Sequence, residues 1–267
     1  MDLFDRATQC LLTRDLDEKM SLSEETASLW QEGNLALDCG KIVQHCEHPG
    51  KLEKPRIVQP HQVSRRKLTN PKGQAAMIHA MAHIEWTAVN LSWDNILSFP
   101  HMPRQYYSDW VQTAAEETRH FRALRACLQE MDLDYGAFDV HDQLWQMAWK
   151  TRHNLLARMG VVHRIMEARA LDVVPGIAKK FDALGKKNVV CALNTIANEE
   201  IGHVRSSTHW FSYRCKEEGK DPEKEFFDLV RIYFQGKLRG PFNHQARKNA
   251  GFSERELVML EKGVPSV

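Results

Sequence analysis

Two segments of this chain carry the same unusual cluster of residue types. The stretch "TAAEETRHFRAL", residues 113–124, and the stretch "IANEEIGHVRSS", residues 196–207, each contain Glu-Glu-x-x-His. In a helix the i,i+3 offset puts Glu117 beside His120 and Glu200 beside His203, each pair close enough to grip one metal ion. A surface Glu/His pair at this spacing gains only about 0.2–0.5 kcal/mol, and selection for it would place it among other charged residues. Here the neighbours are apolar. Within two turns on the same face of Glu117 lie Trp110, Ala114, Phe121 and Leu124, and around Glu200 lie Leu193, Ile196, Ala197 and Val204.

Two further glutamates sit on or beside apolar stripes. Glu85 shares its face with Ile78, Met81, Ala82, Ala88, Val89 and Ser92, and Glu167 lies beside Gly160, His163, Ala170, Leu171 and Val174, with Arg164 also nearby. Burying carboxylates unpaired costs several kcal/mol each, and four together repel one another. Two divalent cations answer that cost: four carboxylates and two neutral imidazoles around two M²⁺ ions give zero formal charge. The spacing agrees, because Glu85 precedes Glu117 by 32 positions and Glu167 precedes Glu200 by 33. The chain thus reads as two half-sites, each a lone Glu on one helix and a Glu-x-x-His on the next. That pattern belongs to dinuclear carboxylate proteins, and the expected metal ligands are Glu85, Glu117, His120, Glu167, Glu200 and His203.

The first glutamate of each doublet has its own expected part. Glu116 and Glu199 stand four residues ahead of His120 and His203, where a carboxylate can accept the second ring N–H of a ligating histidine. His163, one turn before Glu167, and His83, two residues before Glu85, read as hydrogen-bonded histidines rather than ligands. His163 is placed beside the metals and His83 elsewhere on its helix. Trp86, Trp93, Trp110, Trp145, Trp149 and Trp210 read as core, and none of the five tyrosines stands out as a redox site. Cys39, His45, Cys46 and His48 include zinc-ligand types, but their spacing fits no standard knuckle, so a loop is expected there.

These ligands need long helices to carry them. Beyond Pro71 one helical pattern runs without a breaker until Pro100, and a second begins after Pro103 and ends near Asp132. A third is expected over "HDQLWQMAWKTRHNLLARMGVVHRIMEARALDV", closed by Pro175-Gly176, and a fourth ends at Gly219. No segment alternates convincingly as a strand. Residues 1 to about 35 suggest two short helices, the second starting at Ser21 with Glu24 completing a capping box. Pro49, Pro55 and Pro60 mark an extended arm between Gly40 and Asn70. Asp221-Pro222 and Ser253 are expected helix starts in the tail. The fold class is all-α, with residues 1–70 as an N-terminal addition packed on the bundle, 71–219 as a four-helix bundle holding the two metals, and 220–267 as a C-terminal helical extension.

The whole-chain numbers exclude several classes. At 267 residues, with 43% hydrophobic and 27% charged residues, the chain can bury a substantial core. A formal net charge of +1 argues against coating nucleic acid or anionic membrane by charge alone. The clusters Arg65-Arg66-Lys67 and Lys237/Arg239/Arg247/Lys248 read as solvated surface. No run approaches the roughly 18 apolar residues of a membrane span. The acidic N-terminus does not suit a secretory signal, and six scattered cysteines suit reduced thiols in the cytoplasm.

A family resemblance adds to this reading. The segments "GQAAMIHAMAHIEWTAVNLSWD", "DWVQTAAEETRHFRAL", "LLARMGVVHRIMEARALDVVPGI", "NEEIGHV" and "GKLRGPFNHQARKNAGFSERELVML" resemble a bacterial ferritin-like family of unknown function. The likeness runs from about Pro55 to near the C-terminus. The family in turn is similar to a di-iron tRNA hydroxylase that oxidises a hypermodified adenosine with O₂. The resemblance implies a ferritin-like fold and places the ligand pattern on the same six residues, with no position missing. It implies no substrate; tRNA enters by family analogy only. The leading expectation is a non-haem di-iron oxidase or hydroxylase served by O₂ and a reductase. Manganese in place of iron with peroxide disproportionation, iron handling by ferroxidation, and a metal-free helical scaffold are the alternatives.

Overall fold

The computed structural model describes residues 2–38, 45–50, 52–235 and 238–264. It is all-helical, with two isolated β-bridges and no strand among the described residues. The chain divides into two compact units, Met1–Trp149 and Lys150–Val267.

In the first unit, α1 (Leu3–Leu12) and α2 (Leu16–Gln31) are capped by Asp2 and Asp15, whose side chains accept from the Asp5 and Glu18 amides. The expected start at Ser21 is therefore corrected. Asp15 supplies the cap, Asp17 and Glu18 favour the positive end of the helix, and the chain is already helical when it reaches Ser21. α3 (Pro71–Ser98) begins on Asn70, whose side chain accepts from the Gly73 amide, with Pro71 in the first turn where its missing N–H costs nothing. α3 is buried on nearly every face, and it packs against α4 (Arg104–Gln129) and α1. α2 also packs on α4. α5 (Gln143–Thr151) follows, with the unit boundary inside it.

The described residues of the proline-rich arm form neither α-helix nor strand; they run through bends and turns with one 3₁₀ turn, Pro60–Gln62. It is tied to the segment before α5 by a parallel bridge between Ile57 and Val140, in which the Val58 amide donates to Val140 O at 2.8 Å. The Arg56 guanidinium adds two bonds to the Asp139 carboxylate, and Trp145 Nε1 donates to Glu47 O at 2.7 Å.

In the second unit a single turn, α6 (Leu155–Ala157), leads into a π-helix, Arg158–Glu167, and then into α7 (Arg169–Ala183) and α8 (Lys187–Glu217). The single third helix expected from the sequence is thus interrupted, because a turn ends α5 and Asn154 caps a new start at the Ala157 amide. Nor does Pro175 end it. Pro175 lies inside α7, where its missing N–H deprives Leu171 O of a helical donor, and Asn243 Nδ2 donates to that carbonyl at 3.1 Å instead.

The tail forms α9 (Pro222–Phe234), α10 (His244–Asn249) and α11 (Glu254–Lys262). Asp221 and Ser253 cap α9 and α11 as the sequence indicates, the latter in a capping box with Glu256. Arg247 overturns the expectation of a solvated basic patch: it is buried, with a bidentate pair to Asp172. Lys237 of that patch lies outside the described residues. Of the six tryptophans expected in the core, all but Trp149 are buried.

Among the described residues no helix is long and apolar enough to cross a membrane. The described cysteines, Cys10, Cys46, Cys127, Cys191 and Cys215, are free thiols.

Candidate metal centre

In the first unit α3 and α4 bring three expected ligands together. Glu85, Glu117 and His120 are buried, with exposures of 3%, 2% and 1%. A donor atom of each lies within 4.8 Å of the others. His120 Nδ1 is 3.1 Å from Glu117 Oε2 and 3.3 Å from Glu85 Oε2. One nitrogen has at most one proton to give, and Glu117 takes the shorter contact. Glu85 Oε2 is left buried without an aligned hydrogen bond.

The electrostatics describe a cluster short of positive charge. Burial first, and then the neighbouring Glu117 charge, push the Glu85 carboxyl well above the usual carboxylate range. Burial alone would lower the His120 imidazole, but the close carboxylates of Glu117 and Glu85 outweigh it and raise it to about 11. Without metal the cluster therefore holds protons where a cation would sit. Metal binding at such a site displaces those protons, and the released carboxylates and neutral imidazole are the ligand forms that hard or borderline divalent ions prefer. The donor set fits a metal ion.

In the second unit the remaining expected ligands lie on the π-helix and α8. Glu200 and His203 are buried, with His203 Nδ1 at 3.7 Å from Glu200 Oε2. Glu167, at the last position of the π-helix, is in contact with His163 Nδ1 through Oε2. His163 is buried and Glu167 is nearly so, its side chain 11% exposed. The π segment adds a residue to the turn, as the bond from Ala168 N to His163 O shows. Such segments recur at functional sites, where they re-aim side chains.

The π-helix is held from one side. Arg164, between His163 and Glu167 in sequence, is buried and bidentate to Glu256 of α11 at 2.9 and 3.0 Å. Its guanidinium also stacks within 4.3 Å of the Phe226 ring centre. Gly160 allows the close approach of α9, since a Cβ there would meet Leu229 Cδ1 at 2.7 Å.

The remaining expected residues take varied places. Glu116 is half-buried and accepts from Gln112 Nε2 at 2.7 Å, with Arg119 at 3.8 Å. Glu199 is half-buried on α8. His83 is a structural histidine: Nε2 faces His141 O at 3.2 Å, and Nδ1 is 2.7 Å from the Tyr135 hydroxyl. Nε2 therefore carries the proton and Tyr135 donates to Nδ1. Tyr135 is the residue that sequence reasoning missed, because its burial arises from a loop folding back onto α3. Of the Cys39/His45/Cys46/His48 group, Cys39 lies outside the described residues and His45 Nδ1 is 3.3 Å from Ser98 Oγ.

The chain matches, over residues 12–258, a family model described as "Protein of unknown function (DUF455)". The chain belongs to this family. An uncharacterized protein of Haemophilus influenzae (strain ATCC 51907 / DSM 11121 / KW20 / Rd) is 36% identical over 212 residues, which cover 77% of this chain and 74% of that protein. No solved structure matches the chain. Membership extends over both Glu-x-x-His segments and over the Arg158–Glu167 π-helix.

Proposed function

We propose that this DUF455 protein is a non-haem di-iron carboxylate protein of ferritin-like architecture that activates O₂ to oxidise or hydroxylate a substrate. The observation that carries this reading is the buried trio Glu85, Glu117 and His120, in which one carboxylate oxygen has no hydrogen bond. The reading joins that trio to the second Glu-x-x-His, so that one ion takes His120, the other takes His203, and Glu85, Glu117, Glu167 and Glu200 supply the carboxylates. If two Fe(II) ions were bound there, they would supply electrons and open coordination positions for reducing O₂.

The chain's own residues do the rest. The buried walls of α3 and α4 exclude water, and the carboxylates balance the ion charge. Glu116 and Glu199 orient the histidines, His163 orients Glu167, and electrons for re-reduction would come from a partner reductase. Mixed carboxylate and imidazole donors support iron or manganese ahead of zinc, whose structural sites favour thiolate. The scattered thiols support a reducing, cytoplasmic setting.

The test is anaerobic loading with Fe(II), followed by O₂ uptake and near-ultraviolet and visible absorption. About two irons retained per chain, with O₂ consumed in proportion to them and a new absorption band, is the expected result. Retention of manganese with peroxide turnover would replace the oxidase reading by the catalase-like one. Failure to retain any metal would leave a helical scaffold.

A further inference from the structure

The first unit contains a cavity of about 420 Å³ between the proline-rich arm and α3, within the size range of small-molecule sites. Trp86, Tyr135 and Trp145 give it aromatic walls, Asn90 lies at its α3 side, and Glu53 and Asp142 bring two carboxylates to it. It is separate from the metal cluster. At about 100° per residue, Trp86 and Asn90 lie roughly 100° and 140° around α3 from Glu85, so the cavity faces away from the carboxylates.

We infer that this cavity is a binding site for a small aromatic amine, with its ring among the aromatic side chains and its ammonium towards Glu53 and Asp142. Charge supports the choice. The one arginine at the cavity, Arg56, is already matched by both oxygens of Asp139. Asp142 is held in place by Gln146 Nε2 at 2.5 Å, which leaves its negative charge intact.

The polar groups at the α3 side are preset rather than free to collapse. Asn90 donates to Trp86 O and accepts from Lys19 Nζ, and the Thr87 hydroxyl donates to His83 O. Lys19 lies behind the wall, 4.9 Å over the Trp86 ring, and also donates to Leu11 O. Burial pushes its ammonium down to about 7, so at mildly alkaline pH it adds little positive charge to compete with a bound amine. Aromatic faces beside acidic groups are the chemistry that recognises organic cations.

Three probes of one shape separate the possibilities: 2-phenylethylamine, 2-phenylethanol and 3-phenylpropionate, titrated calorimetrically into the full chain at mildly alkaline pH. The amine is expected to bind at one site per chain, about tenfold tighter than the acid, with the alcohol between them. In the Glu53→Gln/Asp142→Asn double variant the amine should fall to the level of the alcohol. Trp145→Leu should weaken all three while circular dichroism shows the helices intact. Absence of saturable binding by any probe, tighter binding of the acid, or an amine preference that survives the double substitution would each overturn the assignment. None of these readouts involves a metal, so the di-iron reading stands or falls separately.

Discussion

Replacing His120 by alanine is expected to leave about one iron per chain in place of about two, and to abolish O₂ consumption. His120 is the only imidazole in the buried trio, and its Nδ1 faces both Glu117 and Glu85. Alanine removes the one neutral donor of that half-site and leaves two carboxylates facing a cavity. The second Glu-x-x-His keeps its own imidazole, so metal content should fall by about half. Metal analysis after anaerobic loading and gel filtration checks the count, and an oxygen electrode checks the turnover. Retention of both irons by the variant would remove His120 from the ligand set. His203→Ala should give the mirror result, and the double variant should retain none.

Replacing Glu85 by leucine is expected to act with opposite signs on the metal-free and metal-loaded protein. Without metal, one imidazolium at His120 can balance one carboxylate, and Glu117 holds the shorter contact at 3.1 Å. Glu85 is the carboxyl left over, buried, with Oε2 lacking an aligned hydrogen bond and with its ionised form disfavoured by burial and by Glu117. Exchange of such a group for an apolar side chain is expected to stabilise the metal-free protein by about 1–4 kcal/mol near neutral pH.

The pH dependence follows from the same shift. Because the folded pKa of Glu85 is raised, the folded state binds more protons than the unfolded state above the ordinary glutamate value. Its contribution to metal-free stability therefore falls as pH rises through that range. The leucine variant should lose this slope. With metal the order reverses: at a thousandfold excess over Kd the wild type gains about 4 kcal/mol, and most of that gain should be missing in Glu85→Leu. Urea unfolding from pH 4 to 8, with chelator and with Fe(II), reads both effects. A variant less stable than wild type in chelator would contradict the account of Glu85 as a buried carboxyl that lacks a balancing cation.

The sequence made the candidate ligands legible because their chemistry conflicts with their surroundings. Carboxylates on apolar faces of α3 and α4 could be recognised without coordinates, and the structure buries Glu85, Glu117 and His120 together. Strong local signals also survived: Asp221-Pro222 and Ser253 start helices where the residue types say they should. What was illegible depends on distant partners. Pro175 reads as a stop until Asn243, far along the chain, supplies the donor that Leu171 O lacks. Arg247 reads as surface until Asp172 pairs with it. The π-helix leaves no composition signal, since one added residue in a turn is set by what packs around it, here the buried Arg164–Glu256 pair and the close approach at Gly160. Ser21 lost to Asp15 because the Asp15 side chain already caps the Glu18 amide about one and a half turns earlier, so the helix has begun before Ser21 is reached.

The central claim is that acids drawn into the helical interior are balanced by two bound ions, and anomalous diffraction at the iron edge tests it most directly. Crystals grown anaerobically with Fe(II) should show two peaks per chain, one against His120 with Glu85 and Glu117, the other against His203 with Glu167 and Glu200. A map without such peaks, in which those four glutamates turn to separate patches of solvent, would contradict the account.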